Sequence, residues 1–319
     1  MKSVVALDTA LCCKIERPYF LEMLVHVGCK LTSPLEISEN QRFPFKWIQL
    51  RGISVSNLVV VGKSTKIKRV LYSVMNRNVS REGIIHIEKL TIDSPKDLEC
   101  DKYNEEFLVV LINNTWKNLK HITLKLHPTT MKKFLCGMYT DRLAHLLSLE
   151  LVWAADPFII GGLMRAADDC KELTSLMLIA KRSFVEATTL GRFVNTNRGL
   201  VALEVTIERL SDEIIAVFSE GKCLKHVTLH IQYGFNLKSL RMFLEACPNL
   251  TSFSAMLHHC GGHHEQFNLD MFTNTCSNFV CEVHLKFLGP ARYANGIVHT
   301  TFNHAQNGDA EVSNVLLSA

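Results

Sequence analysis

A short pattern of apolar and polar positions, apolar-x-x-apolar-x-apolar, recurs along the chain. The steps between the first apolar positions of successive copies are 32, 27, 27, 27, 24, 26 and 30 residues. Three equal steps in a row are hard to obtain by chance from a leucine-rich composition, so the pattern indicates structural repeats. The copies begin at Ile87, Leu119, Leu146, Leu173, Leu200, Leu224, Leu250 and Val280.

The segments between the copies are predicted to be helical, because their apolar residues recur at the spacing of a helix face. Residues 157–167 and 237–246 are two examples. Helix starts are also marked, since Asp156 precedes Pro157 as a cap precedes a first-turn proline, and Ser211 precedes an acidic pair. Each unit is therefore expected to run strand, turn, helix, turn. Parallel neighbours of this kind stack through right-handed crossovers into an α/β solenoid.

Several predicted helices end in a cysteine three residues before an apolar residue at a strand start, as Cys170 before Leu173, Cys247 before Leu250 and Cys276 before Phe279 do. This arrangement resembles the cysteine-containing subclass of leucine-rich repeats, although Trp116 and Asn197 stand at the cysteine position in other copies. The resemblance covers about two thirds of the chain. It implies a solenoid of about seven to eight degenerate repeats, with parallel strands on the concave face and helices on the convex face. It also implies a non-catalytic interaction module of the kind often found in ubiquitin-ligase substrate receptors.

The repeats and the sequences that flank them divide the chain into four predicted parts. The first is predicted to be a helical N-terminal cap or an F-box-like remnant, and the second a linking segment or irregular first repeats. The leucine-rich-repeat domain follows. The end of the chain, rich in Asn, Gly, His and Thr, is predicted to be a C-terminal tail. In chain order these parts are residues 1–45, 46–86, 87–288 and 289–319.

The F-box interpretation depends on three short motifs near the N-terminus. They are Leu-Asp-x-Ala-x-Cys from Leu7, Arg-x-x-Phe-Leu from Arg17 and Trp-x-x-x-Arg-Gly-Ile from Trp47. This combination is similar to the segment that links an F-box-like helix set to leucine-rich repeats in some eukaryotic proteins. The upstream helices of an F-box, with their Leu-Pro start, do not occur in the sequence. A helical cap that supports the first repeat is the alternative.

Residues between the apolar positions of each copy are predicted to point out of the core, because strand side chains alternate between two faces. They are therefore expected to form columns across the sheet. An apolar centre of Val152, Met177 and Ile179 inside a polar rim resembles the layout of a protein-binding patch. A solvated sheet face with scattered apolar residues is the alternative. The candidate partner-binding residues on the concave face are Lys125, Glu150, Val152, Met177, Ile179, Glu204, Thr206, Thr228 and His230.

The segment from His258 to His264 concentrates five potential metal ligands in seven residues. Imidazole and thiolate suit zinc, copper or nickel, but no ligand pair at metal-site spacing lies nearby in the sequence. A polar, glycine-rich turn after a strand is the alternative, so neither a resident metal nor a cofactor is expected. The side chains that a metal would use are those of His258, His259, Cys260, His263 and His264.

Composition narrows the class of protein without naming a partner. The chain has 319 residues, of which 47% are hydrophobic and 21% charged, and this is enough to bury a large core. The formal charge of +4 is spread along the chain, so no specific nucleic-acid partner is expected. The 11 cysteines are odd in number and lack the spacing of a disulfide framework, which favours the cytoplasm or the nucleus. No stretch of about 18 apolar residues predicts a membrane span.

These observations predict a non-catalytic scaffold that recognises a protein partner on the concave face of the repeat sheet. Potential nucleophiles and bases are abundant, but their arrangement indicates no active site, so the protein is not expected to be an enzyme. The alternative function is that of a substrate-recognition subunit of an SCF-type ubiquitin ligase, which would also bind a ligase adaptor. No motif in the sequence identifies the partner itself.

Overall fold

Parallel strands and helices dominate the part of the chain that the structure, a computed structural model, describes, so the fold is α/β. The chain forms two compact units, Met1–Leu151 (unit 1) and Val152–Ala319 (unit 2). No helix within the described ranges has the length and apolar character needed to cross a membrane. The described residues are 6–7, 30–31, 35–38, 57–61, 88–93, 119–126, 131–132, 134–135, 143–154, 159–181, 183–233, 235–257, 282–287, 297–298, 301–303 and 311–313.

Unit 1 contains short strands that pair in parallel. β1 pairs with β2, and β3 to β6 pair with their neighbours in chain order. The register places Leu90 opposite Ile122, and both side chains are fully buried, as the apolar pattern predicts. The strands are β1 (Ala6–Leu7), β2 (Lys30–Leu31), β3 (Leu35–Ser38), β4 (Asn57–Val61), β5 (Lys89–Asp93), β6 (His121–Lys125) and β7 (Ser148–Ala154), which begins in unit 1 and ends in unit 2.

Unit 2 alternates helices with strands. In chain order its elements are α1 (Ile160–Asp169), β8 (Ser175–Lys181), α2 (Ala187–Thr196), β9 (Ala202–Ile207), α3 (Asp212–Glu220), β10 (His226–Ile231), α4 (Leu237–Ala246), β11 (Ser252–Leu257), β12 (Glu282–Phe287), β13 (Ile297–Val298), β14 (Thr301–Asn303) and β15 (Glu311–Ser313). Strands β8 to β12 pair in parallel with their neighbours in chain order. β13 pairs antiparallel with β12, and β14 with β15. Consecutive helices from α1 to α4 pack against each other.

A recurring turn sets the register of the strands. The amide of the first apolar residue donates to the carbonyl three residues earlier, at 3.0 Å for both Leu200 and Leu224. Val201 N and Ala202 N then both donate to Thr174 O, the carbonyl that precedes the neighbouring strand, at 2.9 and 3.0 Å. The same two-amide arrangement recurs at the starts of β6, β7, β10 and β11. The backbone groups at each strand start are thereby satisfied, and successive strands begin level with one another.

Two helix predictions can be compared directly with the structure. The helix predicted over residues 237–246 is observed as α4 with the same bounds. Ser211 precedes α3, and its hydroxyl accepts a hydrogen bond at 3.4 Å from the amide three residues later, so the predicted cap is confirmed. α1 covers most of the helix predicted over residues 157–167. The marked start of that helix, Asp156 and Pro157, lies outside the described residues.

Aromatic packing shows which face of the sheet the helices cover. The Phe243 ring of α4 has its centroid 5.2 Å from that of Phe218 on α3 and 4.9 Å from that of Phe253 on β11. All three rings are fully buried. Because strand side chains alternate between faces, Ser252 and Ser254 point to the face away from α4. The outward positions of the strands are thus separated from the apolar core.

The position at which the sequence pattern places a cysteine is the C-cap of each helix that the structure describes in unit 2. The caps of α1 to α4 are Cys170, Asn197, Gly221 and Cys247. Cys170 and Cys247 are buried, and burial raises the pKa of the Cys170 thiol to about 12. Such thiols are packing groups and not reactive nucleophiles. Cys276 and Trp116, which occupy the same position in other copies, lie outside the described residues.

Asn197 shows why a polar residue can replace cysteine at this buried position. Its Oδ1 accepts the amide of Leu173 at 2.8 Å, and its Nδ2 donates to the carbonyl of Phe193 at 3.0 Å. Both ends of the amide are therefore satisfied although the residue is buried. In the next copy, a Cβ added to Gly221 would clash with the side chain of Leu224, so the smallest residue is required there.

The predicted boundaries of the repeat domain and its flanking parts stay predictions. The division between the two units falls within β7, inside the predicted repeat domain. β3 and β4 precede residue 87 and still pair in parallel with each other and, through β4, with β5. The parallel strands of unit 1 therefore begin earlier than the apolar pattern does.

Candidate partner-binding face

In unit 1, the outward side chains of the strands are mostly charged or hydroxyl-bearing. The unit 1 face consists of Lys89, Thr91, Asp93, His121, Thr123, Lys125 and Glu150. Lys125 stands opposite Asp93 in the register, and its Nζ lies 2.9 Å from Oδ2 of the carboxylate. Thr123 Oγ1 donates to Glu150 Oε2 at 2.9 Å. Both carboxylates of this face therefore have a partner on a neighbouring strand.

His121 lies among these charges, directly opposite Lys89 in the register. Partial burial, followed by the positive charges of Lys89 and Lys120, lowers the pKa of His121 below its ordinary value of 6.5. The carboxylates of Glu150 and Glu88 oppose that shift. The physical reason is that a second cation beside existing ones, and with less water around it, is harder to form. The neutral imidazole is thus favoured on the unit 1 face.

In unit 2, the outward side chains are more apolar. The unit 2 face consists of Val152, Met177, Ile179, Glu204, Thr228, His230 and Met256, all partly exposed. The register places Glu204 beside Met177 on β8 and beside Thr228 on β10. Glu204 Oε1 lies 2.8 Å from Nε2 of His230, and the two side chains are 29% and 13% exposed. This face therefore combines half-buried apolar groups with one carboxylate and one imidazole.

The expectation that Thr206 is an exposed contact residue is corrected by the structure, because its side chain is only 1% exposed. Its Oγ1 accepts a hydrogen bond from Ala180 N at 3.1 Å, and its carbonyl accepts one from Val185 N at 2.8 Å. The segment that follows β8 thus bonds to the end of β9. Thr206 joins two parts of the chain and is removed from the candidate contact residues.

Two exposed aromatic residues flank the C-terminal end of β9, and the sequence pattern does not single them out. They are Phe184, which is 39% exposed, and Tyr233, which is 55% exposed. On one side Val185 N donates to Thr206 O, and on the other Tyr233 N donates to Glu208 O, both at 2.8 Å. Since these two carbonyls are only two residues apart, both aromatic residues are held at one end of the strand. In the sequence, each of these aromatic residues stands in a polar segment after a strand, and no other feature marks it as exposed.

The predictions about a metal, a cofactor and catalysis are not tested by the described residues. His258, His259, Cys260, His263 and His264 lie outside the described residues. Within the described ranges, no group of three or more His, Cys, Asp or Glu side chains is arranged to hold a metal ion. The expectations that the protein uses no cofactor and is not an enzyme stay predictions.

No protein family matches the chain, and no curated protein matches it. Among solved structures, the chain is similar to one in the complex of Rad7 and Elc1 in yeast, with 10% sequence identity and a TM-score of 0.29. The similarity covers 77% of this chain and 82% of that chain. A likeness at this identity and TM-score carries no argument about function. The functional case therefore depends on the geometry of the two faces.

Proposed function

We propose that the protein is a leucine-rich-repeat solenoid of the cysteine-containing subclass, and that it is a non-catalytic scaffold that recognises a protein partner on its concave sheet face. The parallel strands paired in chain order, the recurring turn and the shared helix C-cap position support this proposal. Units of this kind bury their apolar sides only by stacking on neighbours. In the proposed solenoid, the unit 2 face belongs to the concave surface.

The mixture of side chains on the unit 2 face is the observation that carries the proposal. Met177, Ile179 and Met256 are apolar yet only partly buried on the outward side of the strands. Protein-binding patches place such apolar groups at the centre and polar groups around them. Glu204 and His230 supply polar groups of this kind. Methionine also adapts its shape to a partner better than branched side chains do.

Site-specific photocrosslinking in cells of the source organism tests the proposal. A photoreactive phenylalanine analogue replaces Met177 on the unit 2 face in one full-length variant. In a control variant it replaces Met242, which is 36% exposed on α4. A discrete crosslinked protein is expected from position 177 and none from position 242. Crosslinks from position 242 alone, or none from position 177, would contradict the proposal.

A substrate-recognition subunit of an SCF-type ubiquitin ligase is the second candidate, and it would use the same face. It additionally requires residues 1–45 to bind a ligase adaptor. The described residues of that part give no contact that favours this role. A ligase adaptor that co-purifies with the full chain, and is lost when residues 1–45 are deleted, would favour it over a simple scaffold. For either role we propose the cytoplasm or the nucleus, since Cys170 and Cys223 are free thiols.

A further inference from the structure

Glu204 has a carboxylate oxygen to offer to a binding partner. Its Oε1 is hydrogen-bonded to His230 Nε2 at 2.8 Å, whereas the described residues give its Oε2 no partner. The side chain is 29% exposed, so it can be reached from outside the sheet. On the unit 1 face, the carboxylates of Glu150 and Asp93 likewise bond through one oxygen each, so what distinguishes Glu204 is the character of its neighbours.

The surroundings of Glu204 strengthen its attraction for a cation. Among the described outward side chains of β8 to β11, Glu204 is the one carboxylate, and the others come from Ser, Ala, Thr, Met, Ile, His or Lys. Its neighbour across the register on β8 is Met177, which is half-buried. Apolar neighbours lower the local dielectric constant, so a charge that approaches this carboxylate is screened less than in bulk water.

The aromatic residues at the end of β9 are a second feature that suits a cation. Backbone hydrogen bonds hold Phe184 and Tyr233 at that end, where the accepting carbonyls belong to Thr206 and Glu208, two and four residues along the chain from Glu204. Aromatic faces attract guanidinium and ammonium groups, and guanidinium also stacks on them. Lys181, Glu208 and Arg209 are exposed at the same end of the strands, so two cations and one carboxylate lie there. Their net positive charge favours one basic side chain over a run of them.

We propose that the partner presents one arginine or lysine, flanked by apolar side chains, to the unit 2 face, where its cationic group binds Glu204. This inference rests on the proposed function and specifies the chemistry of the partner. The aliphatic stem of the basic residue packs against Met177, while its charged end forms a charge-assisted hydrogen bond with the carboxylate. An acidic segment would bring a like charge to Glu204 and is disfavoured.

Phage-displayed random peptides, selected on the immobilised full-length protein, are the probe. Enriched peptides are expected to share one arginine or lysine beside apolar residues. A synthetic copy is expected to bind Glu204→Gln about tenfold more weakly, because the charged acceptor is lost. Glu213→Gln, which changes an exposed carboxylate on α3, is the matched control and is expected to bind as the wild type does. Citrulline in place of the peptide's arginine, or norleucine in place of lysine, is expected to cause a similar loss without any change to the protein.

Met177→Ser, which removes the apolar side chain without adding a charge, separates this inference from the proposed function. Peptides that lose binding to Met177→Ser but carry acidic residues, or that bind Glu204→Gln normally, would overturn the inference and leave the proposed function standing. Peptides that bind the wild type and both variants equally would overturn both. Circular dichroism melting of each variant establishes that folded proteins are compared.

Discussion

The two units build their outward faces from the same alternation of strand residues, but they leave different groups for a partner to meet. On the unit 1 face, Lys125 pairs with Asp93, and Thr123 donates to Glu150. On the unit 2 face, Glu204 bonds to His230 and lies beside the half-buried Met177. The first face has more charges, and the second has more apolar surface around fewer charges.

This difference teaches that counting charges does not locate a binding surface. An exposed pair such as Asp93 and Lys125 contributes about 0 to 1 kcal/mol to stability, and each charge of the pair partly offsets the other where a partner would approach. Glu204 has Met177 and Thr228 opposite it in the register, with no lysine or arginine, so its charge is offset less. The unit 2 face is therefore the better candidate for recognition, and the unit 1 face is closer to a solvated surface.

The largest expected effect concerns Thr206, which is outward by sequence pattern but buried in the structure. Thr206→Val removes the Oγ1 that accepts the amide of Ala180 and leaves a buried N–H group without a partner. We expect the free energy of unfolding to fall by about 1 to 3 kcal/mol. Urea denaturation followed by circular dichroism measures the change.

Thr228→Val is the matched control for that experiment, because Thr228 is half-exposed on the neighbouring strand β10. Its expected effect is within about 0.5 kcal/mol of zero. Equal stability of Thr206→Val and the wild type would show that Thr206 is not used internally. It would then be restored to the candidate contact residues.

A smaller effect is expected on the unit 1 face, at His121. Because its pKa is lower in the folded chain than the ordinary 6.5, the unfolded chain takes up this proton more readily. The residue therefore destabilises the fold progressively as the pH falls below about 6.5. Lys89→Met is expected to raise the pKa of His121 and to reduce that loss, whereas Glu150→Gln is expected to lower the pKa further. NMR titration of the imidazole C–H signals measures both shifts.

The opposite signs of the two substitutions serve as their mutual control. Shifts in the same direction, or none, would mean that neighbouring charges on the unit 1 face do not act on His121. The side chains of the unit 1 face would then influence one another less than their short distances indicate.

Strand positions in unit 2 could be predicted from the sequence because buried strand positions are apolar and recur at a regular spacing. Leu200, Leu203 and Val205 define one copy of the pattern, and all three are buried at or just before β9. The helix α4 follows in the same way from its apolar spacing and from the interval between two strands. These features depend on near neighbours in the chain, so one sequence contains enough information to find them.

The details of the candidate face depend on contacts between distant residues, which the period does not record. The hydrogen bond between Glu204 and His230 joins residues 26 positions apart, and the burial of Thr206 depends on the segment that contains Val185. The alternation of strand residues places Glu204 and His230 on one face but does not predict that they are in contact. It also treats Thr206 as exposed, since alternation alone cannot show that another segment bonds to the end of β9.

The central claim is that the unit 2 face binds a protein partner. Calorimetric titration of the partner captured by crosslinking measures its affinity for the wild type, Met177→Ser and Met242→Ser. The account predicts that Met177→Ser weakens binding at least about tenfold, or about 1.4 kcal/mol, while Met242→Ser on α4 binds as the wild type does. Unchanged affinity of Met177→Ser, or a loss confined to Met242→Ser, would contradict it.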